Sequence, residues 1–148
     1  GVRTCLIRTG IVLGDRQGAL KKLMLPFKLG LGGKIGHGKQ WMPWIHIEDQ
    51  INAIQYCIER NDISGPLNLV TPIAVSNYQF TRTLGRDLNR PTIFPLPAVM
   101  VKVMMGEMGK ELLLSGKNVF PSRLLKEGFE FKFTDLNRAL REIVNRDI

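Results

Sequence analysis

Short β-rich runs alternate here with segments whose apolar residues recur every three or four positions, and that alternation argues for an α/β fold. Val2-Arg3-Thr4-Cys5-Leu6-Ile7-Arg8 reads as a strand, and Thr9-Gly10-Ile11-Val12-Leu13-Gly14 runs on into a turn near Asp15. The spacing of Leu20, Leu23, Met24 and Phe27 predicts a helix over 19–29, kinked or ended by Pro26. Residues 30–40 hold five glycines and little apolar content, which predicts a loop. Trp41-Met42-Pro43-Trp44-Ile45-His46-Ile47 is short and aromatic, as an extended segment would be. Glu48 and Asp49 then open and cap a helix reaching about Arg60, because carboxylates favour the positive N-terminal end. Ile51, Ile54, Tyr56 and Ile58 are expected on its buried side.

Ser64-Gly65-Pro66 marks a turn, 67–70 a brief strand, and Ser76 the cap of a helix over 77–88. Beyond residue 90 the pattern changes. Pro91, Pro95 and Pro97 punctuate the chain, and helices are expected over 99–105, 107–114, 122–126 and 135–144. The methionines of 99–105 are expected as core filler. The chain length suits a single core, but the change of pattern divides the chain into 1–90 and a small, mainly helical part over 91–148.

Sites were sought first among known chemical patterns. Gly30, Gly33 and Gly36 satisfy G-x-x-G-x-x-G. Phosphate binding needs a strand before such glycines and a helix after them. Here a helix precedes and an aromatic extended segment follows, so the pattern is set aside. A Tyr-x-x-x-Lys pair is absent, since Tyr56 and Tyr78 are followed at that spacing by Arg60 and Arg82. Arginine does not release its proton and does not replace lysine in tuning a phenol, so both tyrosines are expected to pack. Glu107 and Glu111 lie one helical turn apart and could face a cleft together, but Lys110 stands between them and no metal site is expected. Cys5 and Cys57 have no ligand or redox spacing and read as buried free thiols, which fits a cytoplasmic location. His46 has the chemistry of an acid or base. A ring hydrogen-bonded to nearby backbone is the preferred expectation.

Several of these segments resemble a known family when taken together. Arg8-Thr9-Gly10-Ile11-Val12-Leu13-Gly14, then Trp44-Ile45-His46-Ile47-Glu48-Asp49, then Gly65-Pro66-Leu67-Asn68-Leu69-Val70 look like the second half of the extended short-chain dehydrogenase/reductase family, which contains sugar-nucleotide epimerases and dehydratases. Gly106-Glu107-Met108, Glu111-Leu112-Leu113-Leu114-Ser115-Gly116, Pro121-Ser122-Arg123-Leu124-Leu125 and Gly128-Phe129-Glu130-Phe131 resemble the closing domain of the subfamily labelled nucleoside-diphosphate-sugar epimerases.

The resemblance implies the C-terminal part of a Rossmann-like parallel sheet over 1–90, followed by a mainly helical substrate-side domain over 91–148. It implies that NAD or NADP is held mainly by an upstream half, which also carries the catalytic tyrosine. No catalytic residue is then expected in this stretch. A strand starting almost at Gly1, with no initiator Met, is expected of a chain whose upstream part has been removed. Thr9, Gly10, Ile11 and Val12 match positions beside the cofactor, and Gly10, lacking a Cβ, would either let the backbone approach it or serve a turn. Lys39, Gln40, Trp41, Met42, Trp44 and His46 are the expected substrate-side residues, suited to a ring-bearing or anionic small molecule. Trp44 reads equally well as core. Ile11 stands where sugar-nucleotide epimerases commonly have Asn, which implies a more apolar or different substrate.

The net charge of +8 is unevenly placed: residues 1–47 hold eight Lys/Arg against Asp15 alone. This excess reads as a solvated face, or as a surface meeting an acidic upstream half, in preference to a nucleic-acid site. No apolar run approaches the roughly 18–20 residues of a membrane helix, so no membrane partner is expected. The functions in view are the substrate-binding half of an NAD(P)-dependent oxidoreductase or epimerase, a non-catalytic binding or regulatory protein, and, more weakly, a nucleic-acid binder. Without its partner half the first strand has an unpaired edge, and self-association of the isolated chain is expected.

Overall fold

A computed structural model describes residues 1–114 and 116–147, with the side chains of Met108, Leu112, Leu114 and Asp147 left aside; Ser115, part of one quoted motif, lies outside it. The first extended stretch is two strands, β1 (Cys5–Thr9) and β2 (Ile11–Leu13). β1 pairs in parallel with β5 (Gly65–Leu69), Cys5 opposite Gly65 and Thr9 opposite Leu69. β2 pairs in parallel with β4 (Trp44–His46), Ile11 opposite Trp44. The chain thus changes partner at Gly10, whose N–H donates to Leu69 O while the N–H of Ile11 donates to Pro43 O at 2.8 Å. A Cβ at Gly10 would lie 2.7 Å from Pro43 O and 2.8 Å from Val70 Cγ1, so the crossing itself excludes a side chain.

Pro43 likewise divides the aromatic segment, separating β4 from β3 (Trp41–Met42), which pairs antiparallel with β6 (Val75–Ser76). Proline has no N–H to give to a ladder. The helices α1 (Ala19–Lys28), α2 (Ile47–Glu59) and α3 (Asn77–Asp87) fall where the sequence places them, but α2 buries Asp49, Ala53 and Cys57, while Ile51 and Ile58, expected on its buried side, are exposed. Leu20, Leu23, Met24 and Phe27 are the buried stripe of α1, and Pro26 sits in its last turns. Ser76 and Gln79 form a reciprocal capping box on α3, so the helix-start signal in the sequence is made as hydrogen bonds.

α4 (Ala98–Leu114) joins the two helices expected over 99–105 and 107–114, but Gly106 breaks it with φ 73°, ψ −167°. Glu107 pairs back across the break with Lys102 at 3.0 Å, whereas Glu111, one turn further on, lines the cleft described below. α5 (Ser122–Lys126) and α6 (Leu136–Asp147) complete the chain. Trp44 and Met42 bury against Leu13 and Leu20 together with Leu96, Val101, Leu113, Leu140 and Ile143, so one core runs across residue 90. Ile45, pointing to the opposite side of its strand, enters a second cluster with Ala53, Cys57, Leu67, Leu124 and Phe129. Cys57 is buried and Cys5 half-buried, both as free thiols; burial raises the Cys57 thiol pKa, with Cys5 adding to the rise and Arg3 opposing it. Tyr56 packs and donates to Glu127 O, whereas Tyr78, expected to pack, is largely exposed.

Candidate functional site

The carboxyl ends of the parallel strands β1 and β5 open into a cleft of about 870 Å³. Ligands of open α/β sheets bind outside the carboxyl ends of the strands, because the loops diverge there. Arg8, Thr9 and Gly10 come from the end of β1, and Asn68 and Val70 from the end of β5. Pro43 closes the floor. The opposite wall is Glu111 from α4 and the loop 116–120, with Lys117, Asn118, Val119 and Phe120. Asn68 Nδ2 donates to Phe120 O at 3.3 Å and ties strand to loop. Cations (Arg8, Lys117), a carboxylate (Glu111), amides (Asn68, Asn118) and an apolar strip (Pro43, Val70, Val119, Phe120) share this space, and the two cations against one carboxylate suit a ligand with an anionic end and a flat or apolar body.

The residues singled out in the sequence divide sharply. Thr9 and Gly10 line the cleft; Ile11 is buried in the core and Val12 packs on the second cluster. Pro43, between the expected wall residues, is the one that lines it. Met42, Trp44 and His46 have no exposed surface, so these side chains form core where a wall was expected. Gln40 is turned inward as well: its Nε2 donates to Ile35 O and Leu113 O, both at 2.8 Å, and so pins the glycine-rich loop to α4. Lys39 and Trp41 are exposed away from the cleft lining, Trp41 by 40%. Sequence reasoning missed Asn68 and the loop 116–120; only the polar run Lys117-Asn118 hinted at the latter.

His46 and Asp49 hold the closing segment in place. The His46 Nδ1 accepts from the N–H of Glu48 at 3.1 Å and caps α2. Nε2 then carries the proton and faces Glu142 Oε2 at 2.9 Å. The ring stacks on Phe133 with centroids 3.8 Å apart and planes at 17°. Asp49 was expected to cap α2. It instead accepts from the N–H groups of Lys132 and Phe133, each at 2.8 Å. Glu48 binds Lys132 Nζ at 2.7 Å and Arg146 at 3.1 Å. The hydrogen bond from Lys132 chiefly holds its carboxyl below the usual value of 4.5, with some opposition from burial. Among the described residues no group of three His, Cys, Asp or Glu side chains converges to hold a metal ion, and no helix is long and apolar enough to cross a membrane.

Known proteins supply the comparison. A family model described as a domain of unknown function (DUF1731) matches residues 96–143. The human epimerase family protein SDR39U1 is 42% identical over 142 residues, covering 96% of this chain and 48% of that protein. The Bacillus subtilis epimerase family protein YfhF is 39% identical over 144 residues, covering 97% and 47%. The crystal structure of human SDR39U1 (isoform 2) with NADPH superposes with a TM-score of 0.88 at 40% identity, again over 97% of this chain and 48% of the other.

The chain is similar over nearly its whole length to epimerase family proteins of the short-chain dehydrogenase/reductase-like kind. It corresponds to the C-terminal part of such a protein and spans about half the length of the relatives it matches. The epimerase-family frame also accounts for the parallel strand pairs and the cleft at their ends, since its members have Rossmann-like folds.

Proposed function

We propose that this chain supplies the substrate-facing wall of an NAD(P)-dependent oxidoreductase or epimerase whose dinucleotide and reacting tyrosine are held by the rest of the protein. The observation that carries the reading is the cleft between the carboxyl ends of β1 and β5 and the loop 116–120. Its polar and apolar groups sit where the strands of an α/β sheet present a ligand. The relative with NADPH supports the cofactor class. When bound, the nicotinamide gives or takes a hydride.

Thr9 and Gly10 form the edge nearest the cofactor. That edge fits a flat ring, since Gly10 adds no side chain to it. Arg8 and Lys117 orient an anionic group, Asn68 and Asn118 bond polar substituents, and Phe120 covers the substrate body. Ile11 is buried in the core and does not face the substrate, so the apolar strip of Pro43, Val70, Val119 and Phe120 is what favours a smaller or more apolar substrate than a typical epimerase takes. Leu6 and Ile7, 56% and 39% exposed on β1, are covered by the rest of the longer protein, and the excised chain self-associates through them. The free thiols fit a reducing, cytoplasmic compartment.

The test uses the full-length protein, NADPH oxidation and a panel of small carbonyl compounds with and without carboxylate or phosphate groups. Arg8→Ala with Lys117→Ala should raise KM for the anionic members at least about tenfold and leave kcat within about twofold. NADPH binding without turnover of any member would favour a non-catalytic binding protein. Failure to bind NADPH or NADH would remove the cofactor reading altogether.

A further inference from the structure

Residues 16–47 contain six Lys/Arg and no Asp or Glu, and residues 88–106 contain two and none. The fold brings these two acid-free stretches together. Leu96 N donates to Lys34 O at 2.8 Å, Ile35 bridges Leu96, and Gly33 lies so close to Phe94 O that a Cβ would overlap it. α1 also packs against α4. On the surface so formed, Leu25, Leu29 and Leu31 from the α1 side, Ile93 and Phe94 from the loop, and Val99 and Val103 from α4 are each between 55% and 80% exposed.

A soluble surface helix ordinarily buries its apolar stripe and turns charge outward. The first half of α4, residues 98–105, carries Lys102 as its sole charge and is apolar on its outer face too. α1 turns Leu25 and Leu29 outward among Lys21, Lys22 and Lys28, while its proper core stripe is satisfied on the other side. Exposed apolar residues gathered in this way mark a contact site, and surroundings that are basic apart from Glu107, which is paired with Lys102, specify an anionic occupant. A second copy of the chain would set like charge against like charge. Nucleic acid would use the lysines and leave the leucines and valines in water.

We propose that this surface, formed by α1, the loop 88–97 and the first half of α4, docks on an anionic lipid bilayer. Leu25, Leu29, Phe94 and Val103 enter the headgroup–acyl boundary, and Lys21, Lys22 and Lys34 meet lipid phosphates. This contact is peripheral, so it needs no membrane-spanning segment, and it is independent of the catalytic reading above.

The experiment is flotation of the full-length protein, loaded with NADPH, on vesicles of phosphatidylcholine alone or mixed with phosphatidylglycerol. Binding should require phosphatidylglycerol and weaken as salt is raised. Lys21→Gln with Lys22→Gln should lower binding about fivefold per lysine. Leu25→Gln with Leu29→Gln should lower it at least about tenfold, with an unchanged thermal midpoint showing that both variants fold. Lys126→Gln on α5 should change nothing. Absence of flotation with phosphatidylglycerol, or flotation indifferent to the leucine pair, would overturn the proposal. So would a dimer in size exclusion that the leucine pair dissolves, or duplex DNA binding that depends on the lysines and ignores the leucines.

Discussion

Two of the places where the first 90 residues meet the closing segment are built in opposite ways. At the start of α2, Asp49, His46 and Glu48 grip residues 132–146 through hydrogen bonds and a stacked ring, and Asp49 and His46 have no exposed surface. At the ends of β1 and β5, a hydrogen bond from Asn68 ties strand to loop, and Arg8, Lys117 and Phe120 are exposed along the cleft. Buried polar groups have to be paired, because an unpaired one forfeits its hydration with no return. Open ones are kept for something that arrives later. The contrast explains why the histidine-bearing motif, the most enzyme-like string in the sequence, serves assembly, whereas the plain loop 116–120 lines the open cleft.

The largest expected effect breaks the clasp. Asp49→Ala leaves the N–H groups of Lys132 and Phe133 without their shared acceptor and should cost about 3 kcal/mol in urea denaturation. A loss under about 1 kcal/mol would mean that the clasp is dispensable. Next comes the point where clasp and cleft share a strand. Gly10→Ala places a methyl against Pro43 O and Val70 and should cost about 2 kcal/mol. An unchanged stability would show that the strand crossing yields easily. On the cleft side, Lys117→Ala and Phe120→Ala should each move stability by no more than about 0.5 kcal/mol while weakening substrate binding, read by calorimetric titration.

Acid sharpens the same contrast. The folded state holds the Glu48 carboxyl below its ordinary value of 4.5, so its contribution is fully present above that value and is lost as pH falls toward the lowered one. Thermal midpoints of the parent protein should therefore fall more steeply below that pH than those of Glu48→Gln.

Much of this was readable in the chain, and the unreadable part has a common cause. The stripe of α1, the Ser76–Gln79 capping box and the break at Gly106 depend on residues within a few positions of one another, so periodicity and cap chemistry find them. The expectation that Asp49 caps α2 used the same local logic and failed, because its partners lie more than eighty residues away. Trp44 reads equally well as wall or core in the sequence; strand pairing decides that it is core and that Trp41 is exposed. The cleft was half visible: Thr9 and Gly10 follow from the family resemblance, but Asn68 and the loop 116–120 meet only through the sheet register.

The crossing at Gly10 also sets where such a protein is free to change. What a Cβ at position 10 would strike is a main-chain carbonyl, and no exchange of side chain at position 43 removes a carbonyl. One side of the cleft is thereby fixed by backbone, while the other is a loop whose Lys117, Asn118 and Phe120 are exposed. New specificities in this lineage, whether reached by descent or on the bench, are to be sought in the side chains of 117–120 and leave the strand ends as they stand.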